Sequence, residues 1–130
     1  CYEMKAHRIG DSVLIKNDRL LINEMLKLYN AAGELASQLP APKNVCSAYY
    51  WAFRYLYAFK HPQYVEYALR FLDNVEKYSH SSTIKGKVHT TYAILHQGLS
   101  SQEWQKILSR VVQYSKKSLF LPDEYRTECV

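Results

Sequence analysis

The fold is decided by residues 44–60, which read NVCSAYYWAFRYLYAFK. This is the most apolar stretch of the chain, and Arg54 is its only charge before Lys60. At helical spacing, apolar side chains cover nearly the whole circumference. A helix of this kind is buried by neighbours on more than one side. We therefore predict a helix over residues 44–60 at the centre of the fold.

Turn-forming residues on either side divide the rest of the chain into segments of helix length. We expect further helices from Pro62, from Thr83 to Gln97 and from Ser100 to about Leu119, where Ser100 and Glu103 have capping-box spacing and Gly98 is a left-handed stop. The expected buried positions are Val65, Ala68, Leu72 and Val75, then Ile84, Val88, Thr91 and Leu95, and then Trp104, Ile107, Leu108, Val111 and Tyr114. The short connections predict two antiparallel hairpins, an aromatic one over 44–79 and a basic one over 83–119, followed by a tail over 120–130.

A long leading helix is predicted over residues 18–39. Its apolar residues follow a 4-3-4-3-4 spacing from Leu21 to Leu39, Asn17 or Asp18 can cap its start, and Pro40 ends it. Residues 12–23 also fit a small β-hairpin, although the continuous stripe favours helix. The stripe can pack on its own domain or pair with a second copy of the chain, in which case Leu21, Met25, Leu28 and Leu35 form a homodimer contact.

These features predict an all-α fold of about five helices in antiparallel hairpins. Residues 61–69 resemble residues 100–108 at the cap, the Gln, the buried position and the closing Leu, which favours a short helical-repeat or solenoid-like array, with an orthogonal bundle as the alternative. A chain of 130 residues is the size of a single domain, which we assign to 1–130. Because it begins with Cys1 rather than Met, we expect it to be a piece of a longer protein.

The sequence carries no pattern typical of catalysis or of metal binding. His89 and His96 are seven residues apart on one predicted helix, about 10 Å, which is too far for two ligands of one zinc ion. Cys46 is expected to be a buried thiol without a base nearby in the sequence. We therefore predict no enzyme activity, no catalytic residue, no metal and no cofactor.

Cysteine content and hydropathy indicate the cellular location of the chain and its relation to membranes. Three cysteines without a CxxC pair do not form a disulfide framework, so an intracellular location, in cytoplasm or nucleus, is expected. The longest uncharged apolar stretch, from Val45 to Phe53, is too short to span a bilayer, so no membrane partner is expected.

Tyrosine is the unusual residue of this composition, with 12 Tyr against four Phe and two Trp. Six of them fall within residues 49–67. Tyrosine is enriched at protein interfaces because it buries a large area and keeps a polar tip. Five tyrosines lie off the simplest core lines, namely Tyr55, Tyr57, Tyr64, Tyr67 and Tyr78. We predict that several of them are exposed together and that the chain is a non-catalytic scaffolding module that binds another protein or peptide through this face.

Positive charge is concentrated in the other hairpin. The net charge is +5, and residues 84–121 hold six Lys and Arg with Glu103 as their only acidic residue. The candidate binding set is Lys85, Lys87, Arg110, Lys116 and Lys117. Such a cluster suits an acidic partner segment or the phosphate backbone of RNA or DNA, while lysines near a helix C-terminus also favour the dipole and aid solubility. Nucleic-acid binding through the backbone is thus the alternative function.

Overall fold

The described part of the protein is helical. The computed structural model describes residues 1–38, 44–78, 84–114 and 121–126, and no strand occurs in these ranges. Its helices are α1 (Tyr2–Lys16), α2 (Ile22–Ser37), α3 (Asn44–Ala58), α4 (Tyr64–Tyr78), α5 (Lys85–Gly98), α6 (Ser101–Tyr114) and α7 (Asp123–Arg126), with a 3-10 turn at Arg19–Leu21. The all-α prediction is confirmed, whereas the arrangement as repeats or as an orthogonal bundle stays a prediction.

The chain divides into two compact units, Cys1–Asn74 and Val75–Val130. The first unit contains α1, α2, α3 and most of α4, and the second contains the end of α4 with α5, α6 and α7. The assignment of 1–130 to a single domain stays a prediction.

The start of the chain differs from its prediction, because a further helix, α1, precedes α2, and α2 lies within the leading helix predicted over residues 18–39. α1 ends at Asn17, whose backbone is left-handed with φ 56° and whose N–H donates to the carbonyl of Val13 at 2.7 Å. The Asp18 carboxylate then accepts the N–H of Leu20 at 3.2 Å and begins the 3-10 turn that precedes α2. The two predicted capping residues therefore act at a corner between helices, and the β-hairpin alternative is wrong because residues 12–16 are helical.

The buried face of α2 is offset by one position from the predicted leucine stripe. Its buried residues are Ile22, Met25, Leu26, Tyr29, Gly33 and Ala36. Of the predicted homodimer contacts, Met25 is fully buried inside the chain, Leu21 and Leu28 are half-buried, and Leu35 is exposed. Met25 therefore packs within its own unit and is not available to a second copy, whereas a homodimer contact through the leucines stays a prediction. Leu39 lies outside the described residues.

Helix α3 is buried on most sides, as its composition predicts. It packs against both α1 and α2. Its buried residues are Cys46, Ala48, Tyr50, Ala52, Phe53 and Leu56. Among the side chains described between 46 and 58, only Trp51 and Ala58 are exposed. The prediction of a helix buried on more than one side is confirmed within the first unit, and so is that of Cys46 as a buried thiol.

Two glycines let the large rings of α3 approach the neighbouring helices. A Cβ added at Gly10 of α1 would lie 2.7 Å from the ring of Tyr55, and one at Gly33 of α2 would lie 3.0 Å from the ring of Tyr49. Real Cβ atoms do not come as close as the first distance, so Gly10 is required where Tyr55 packs. The bulk of α3 therefore fills space that small residues leave on α1 and α2.

The turn between α3 and α4 is closed by backbone hydrogen bonds around a left-handed lysine. Lys60 has φ 58°, its N–H donates to Tyr57, and the N–H of His61 donates to Leu56 at 2.9 Å. This is the Schellman arrangement with lysine where glycine is usual. In α4, the buried positions Ala68, Leu72 and Val75 are confirmed and Val65 is half-buried. Glu66 and Arg70, four residues apart on this helix, form an ion pair at 2.7 Å.

The second unit confirms most of the predicted core positions of the basic hairpin. Its buried residues include Val88, Thr91, Tyr92, Leu95, Trp104, Ile107, Leu108, Leu121 and Tyr125. Ser100 caps α6 by accepting the N–H of Glu103 at 3.3 Å. Gly98 is not a left-handed stop, because α5 ends when Leu99 turns extended, with φ −104° and ψ 154°. Within the predicted tail, α7 is helical and buries Tyr125.

Candidate functional site

The five candidate tyrosines do not form one exposed face. Tyr55, Tyr57 and Tyr64 are half-buried, Tyr67 is only 4% exposed, and the side chain of Tyr78 lies outside the description. The prediction that Tyr67 is a surface contact is therefore wrong, and the role of the other four as contacts stays a prediction.

Tyr67 is buried because two other side chains satisfy it within the first unit. The amide of Asn30 donates to its hydroxyl at 2.8 Å, and the guanidinium carbon of Arg70 lies 4.8 Å from its ring centroid. The Arg70 guanidinium also donates to the side-chain amide oxygen of Asn30 at 3.2 Å. A buried tyrosine usually needs a partner for its hydroxyl, and here α2 supplies it.

Tyr55 is anchored to α1 by both its ring and its hydroxyl. The ring covers Gly10, and the hydroxyl donates to the Asp11 carboxylate at 2.6 Å and lies 3.3 Å from the carbonyl of His7. Burial raises the pKa of Tyr55 above its ordinary value, and the hydrogen bond to Asp11 raises it further. The phenol therefore stays protonated and holds α3 on α1.

Tyr57 and Tyr64 form an aromatic pair on either side of the α3–α4 turn. Their ring centroids are 5.2 Å apart with an angle of 60° between the planes, which is a favourable geometry for two rings. Both side chains are half-buried. Like Tyr55, both members of this pair keep part of their side chain in contact with solvent.

The exposed aromatic side chain of α3 is a tryptophan that the tyrosine count overlooked. Trp51 is 37% exposed in the middle of the most buried helix. It shares the outer side of α3 with Ser47, Arg54 and Ala58, at 4-3-4 spacing, and we call these four residues the Trp51 surface. Ser47 is the one aliphatic hydroxyl and Arg54 the one charged side chain between residues 46 and 54. Their shared stripe is the sequence signal that could have located the solvent side.

Neighbouring rings hold Trp51 in place. The Tyr50 centroid lies 5.3 Å from that of Trp51, and the His7 centroid lies 5.9 Å from it, both nearly perpendicular. Arg54 donates to the hydroxyl of Tyr50 at 2.8 Å. The aromatic and the cation of the surface are thus both positioned by Tyr50.

A polar network behind the surface orients His7. Ser47 donates to the Glu3 carboxylate at 2.7 Å, the same carboxylate oxygen lies 3.6 Å from Nε2 of His7, and Nδ1 of His7 is hydrogen-bonded to the hydroxyl of Tyr29. Burial raises the pKa of Tyr29 far above its ordinary value, so this phenol keeps its proton at neutral pH. The Ser47 hydroxyl faces a carboxylate rather than a histidine nitrogen, so the network lacks the serine–histidine contact of a nucleophilic site. Its effect is to fix the ring against which Trp51 packs.

The structure describes only part of the basic set. Lys85 is exposed and Lys87 half-buried, and both lie in the first turn of α5. Arg110 lies in α6, but its side chain is outside the description, as are Lys116 and Lys117 altogether. The predicted gathering of the five cations therefore stays a prediction. Lys85 and Lys87 occupy a helix N-terminus, so the dipole explanation for lysines at a C-terminus does not apply to them.

The described residues were also compared with the requirements of a metal site, of a membrane-spanning helix and of a ligand cavity. Within residues 1–38, 44–78, 84–114 and 121–126, no group of three His, Cys, Asp or Glu side chains is placed to hold a metal ion. In the same ranges, no helix combines the length and the hydropathy needed to cross a bilayer. A shallow groove of about 410 Å³ lies between the start of α1 and the end of α2, lined by Tyr2, Lys5, Ala32, Leu35 and residues beside them.

Comparison of the chain with protein-family models, with curated proteins and with solved structures finds no match. A function has to be argued from the surfaces of the chain itself. The described surfaces include the Trp51 surface, which combines an exposed aromatic with a half-buried arginine, and the two lysines at the start of α5.

Proposed function

We propose that the chain is a non-catalytic interaction module of a larger intracellular protein, and that it binds another protein or a peptide through the Trp51 surface. The observation that carries this proposal is the 37% exposure of Trp51 in a helix whose other large side chains are buried or half-buried. Tryptophan and arginine are the residues most enriched among those that dominate binding energy at interfaces. Trp51 and Arg54 lie three residues apart on the same side of α3.

Pre-organisation supports the same proposal. A partner that covers Trp51 has little side-chain freedom to remove, because the Tyr50 and His7 rings already confine the indole. The Tyr50 hydroxyl likewise confines Arg54. Rigid aromatic anchors of this type give large contact area at low entropic cost. The proposal keeps the predicted aromatic binding face and moves its centre from the tyrosines to Trp51.

The proposal is tested by affinity capture with the intact chain and single variants. We expect a set of proteins that binds the unchanged chain and is lost with Trp51→Ser and with Arg54→Ala. Met4→Ser is the matched control, because Met4 is an exposed apolar side chain outside the surface. Circular dichroism checks that each variant is folded. An identical set of captured proteins with all three variants would contradict the proposal.

Nucleic-acid binding is the second candidate, and the start of α5 favours it. Two lysines occupy the first turn, no acidic residue does, and Ile84 at the N-cap has no side chain that can accept a backbone N–H. Peptide N–H groups and the positive end of the dipole at such a terminus attract phosphate. Two cations placed there are unfavourable for the isolated helix and favourable for a bound anion.

This candidate is tested with fluorescent RNA and DNA oligomers at two salt concentrations. Binding through phosphates predicts a steep loss of affinity with salt, and Lys85→Gln with Lys87→Gln should weaken binding and reduce that salt dependence. Lys116→Glu with Lys117→Glu tests the remainder of the predicted cluster. No measurable binding at low salt would rule this function out.

A further inference from the structure

The corner between α1 and α2 exposes three large aliphatic side chains. Leu14 is 51% exposed, Ile15 83% and Leu20 90%, all within residues 14–20, which we call the 14–20 corner. Large aliphatic side chains gain free energy when they leave water, and two of these gain almost nothing from the fold. The corner therefore keeps apolar area available for contact with something else.

Hydrogen bonds donated by backbone N–H groups hold this corner in its conformation. The N–H of Asn17 donates to Val13 at 2.7 Å, and the N–H of Leu20 donates to the Asp18 carboxylate at 3.2 Å. The packed face of α1 is made instead by Ala6, Gly10 and Val13. Ile15 and Leu20 are thus displayed by an ordered turn.

Positive charge surrounds the exposed side chains. Lys16 and Arg19 belong to the corner and are both exposed. The Arg19 guanidinium donates to the carbonyl of Phe59 at 3.0 Å, which brings the α3–α4 turn beside the corner together with exposed Lys60. Asp18 is the one carboxylate in residues 14–20. The exposed apolar side chains lie among three cations, Lys16, Arg19 and Lys60, and one carboxylate. This combination is complementary to a surface that carries negative charge over an apolar interior.

We propose that the 14–20 corner binds the surface of a membrane that contains anionic lipids. Ile15 and Leu20 enter the boundary between headgroups and acyl chains, while Lys16, Arg19 and Lys60 lie at the level of the lipid phosphates. Lipid acyl chains close around projecting side chains without a preformed pocket, whereas a protein partner would have to supply a cavity for each. The sequence expectation of no membrane partner rested on the length of apolar stretches, and a surface contact needs no spanning helix.

The proposal is tested by co-sedimentation of the 130-residue chain with vesicles. One vesicle type is phosphatidylcholine alone, and the other contains about 30 mol % phosphatidylserine, an anionic lipid of cytoplasmic leaflets. We expect binding to the second type only, and a decrease as salt screens the cations. Ile15→Ser with Leu20→Ser should lower the partition constant roughly tenfold or more, because both apolar contacts are lost. Lys16→Gln with Lys60→Gln should lower it about 30-fold at low salt.

Two controls separate this surface from the rest of the protein. Met4→Ser with Leu35→Ser removes exposed apolar side chains from elsewhere in the first unit and should leave vesicle binding unchanged. Trp51→Ser should also leave it unchanged, because this proposal does not depend on the Trp51 surface. The proposal is overturned by absence of binding to phosphatidylserine vesicles, by equal binding to both vesicle types, or by full binding of the Ile15→Ser, Leu20→Ser chain. It is equally overturned by a different outcome of the same experiments. In that outcome the unchanged chain forms a dimer and does not sediment with vesicles, and the Ile15→Ser, Leu20→Ser chain is a monomer.

Discussion

Helices α1 and α3 are neighbours in the same unit and solve the problem of burial in opposite ways. α3 buries large side chains, among them Tyr50, Phe53 and Leu56. α1 buries Ala6, Gly10 and Val13 and leaves most of its larger apolar side chains, Met4 and Ile15 among them, in solvent. One helix provides the bulk of the core and the other provides the space for it.

This difference shows that burial in a helix pair is decided by the fit between two surfaces rather than by the hydropathy of either one. Close packing requires that the volume on one side match the space on the other. The rings of Tyr55 and Tyr49 occupy that space over Gly10 and Gly33. The excess of tyrosine therefore has a structural use before it has a functional one.

The largest effect is expected from removing bulk on the α3 side. Phe53→Ala should lower the free energy of unfolding by about 3–5 kcal/mol, because it leaves a cavity at a fully buried position. Ile15→Ala is the matched control on α1 and should change it by no more than about 0.5 kcal/mol. Urea unfolding followed by circular dichroism measures both. If Phe53→Ala does not fold, Phe53→Leu gives a smaller change in the same direction, and similar values for positions 53 and 15 would contradict the comparison.

The next effect comes from adding bulk on the α1 side. Gly10→Ala should cost about 1–3 kcal/mol, because its Cβ would lie 2.7 Å from the ring of Tyr55 and the ring has to shift. Gly86→Ala is the matched control in α5, where nothing lies within 4 Å of the new Cβ. That control should be neutral or stabilising by up to about 1 kcal/mol, since alanine favours helix. Equal thermal stability of the two variants would show that Tyr55 does not need the glycine.

The same comparison explains how much of the structure the sequence could predict. The burial of α3 on more than one side follows from its own composition, so it could be predicted. The burial of α1 depends on Tyr55, more than forty residues away, and that of Tyr67 depends on Asn30 in another helix. The hydropathy of one segment carries no information about contacts with a distant segment. For this reason the sequence did not predict helix α1, and it placed Tyr67 on the surface.

The candidate site shows the same limit. The prediction of an aromatic face on the 44–79 hairpin rested on a count of tyrosines. Solvent reaches Trp51 because α1 and α2 cover the other sides of α3. Ser47 and Arg54 lie on the same stripe as Trp51, and their positions indicate the solvent side of α3. A count of tyrosines does not take these positions into account.

A third effect concerns the tyrosines that fill the space beside α1, and it appears at alkaline pH. Burial raises the pKa of Tyr29 and of Tyr55 in the folded chain above the ordinary value of 10.0. Below pH 10 both states are protonated and the stability is complete. Above pH 10 the unfolded chain releases these protons and the folded chain holds them, so stability falls by about 1.4 kcal/mol per pH unit for fully buried Tyr29 and by less for half-buried Tyr55, which solvent screens.

Chemical unfolding between pH 9 and about pH 11 measures this slope. Tyr29→Phe should reduce the slope by the share of one proton, whatever its effect on stability at neutral pH. Tyr2→Phe, at an exposed tyrosine, is the matched control and should leave it unchanged. A slope that is the same with and without Tyr29 would show that this phenol titrates alike in both states, and the account of a proton held between α1 and α2 would then be wrong.

The smallest effect lies at the ends of the two helices, where the comparison between α1 and α3 can be made most directly. Asn17 ends α1 at φ 56°, and Lys60 ends α3 at φ 58°, so the two residues share one left-handed conformation. Asparagine adopts this conformation readily, whereas in lysine the Cβ atom comes too close to the following carbonyl oxygen, which costs conformational energy. Lys60→Gly should therefore raise the free energy of unfolding by about 0.5–1 kcal/mol, the steric relief exceeding the entropy that glycine adds to the unfolded chain. Asn17→Gly should change it by less, and a pair of thermal melts compares the two; a larger gain at Asn17 than at Lys60 would mean that contacts of the lysine side chain, rather than its backbone, control the turn after α3.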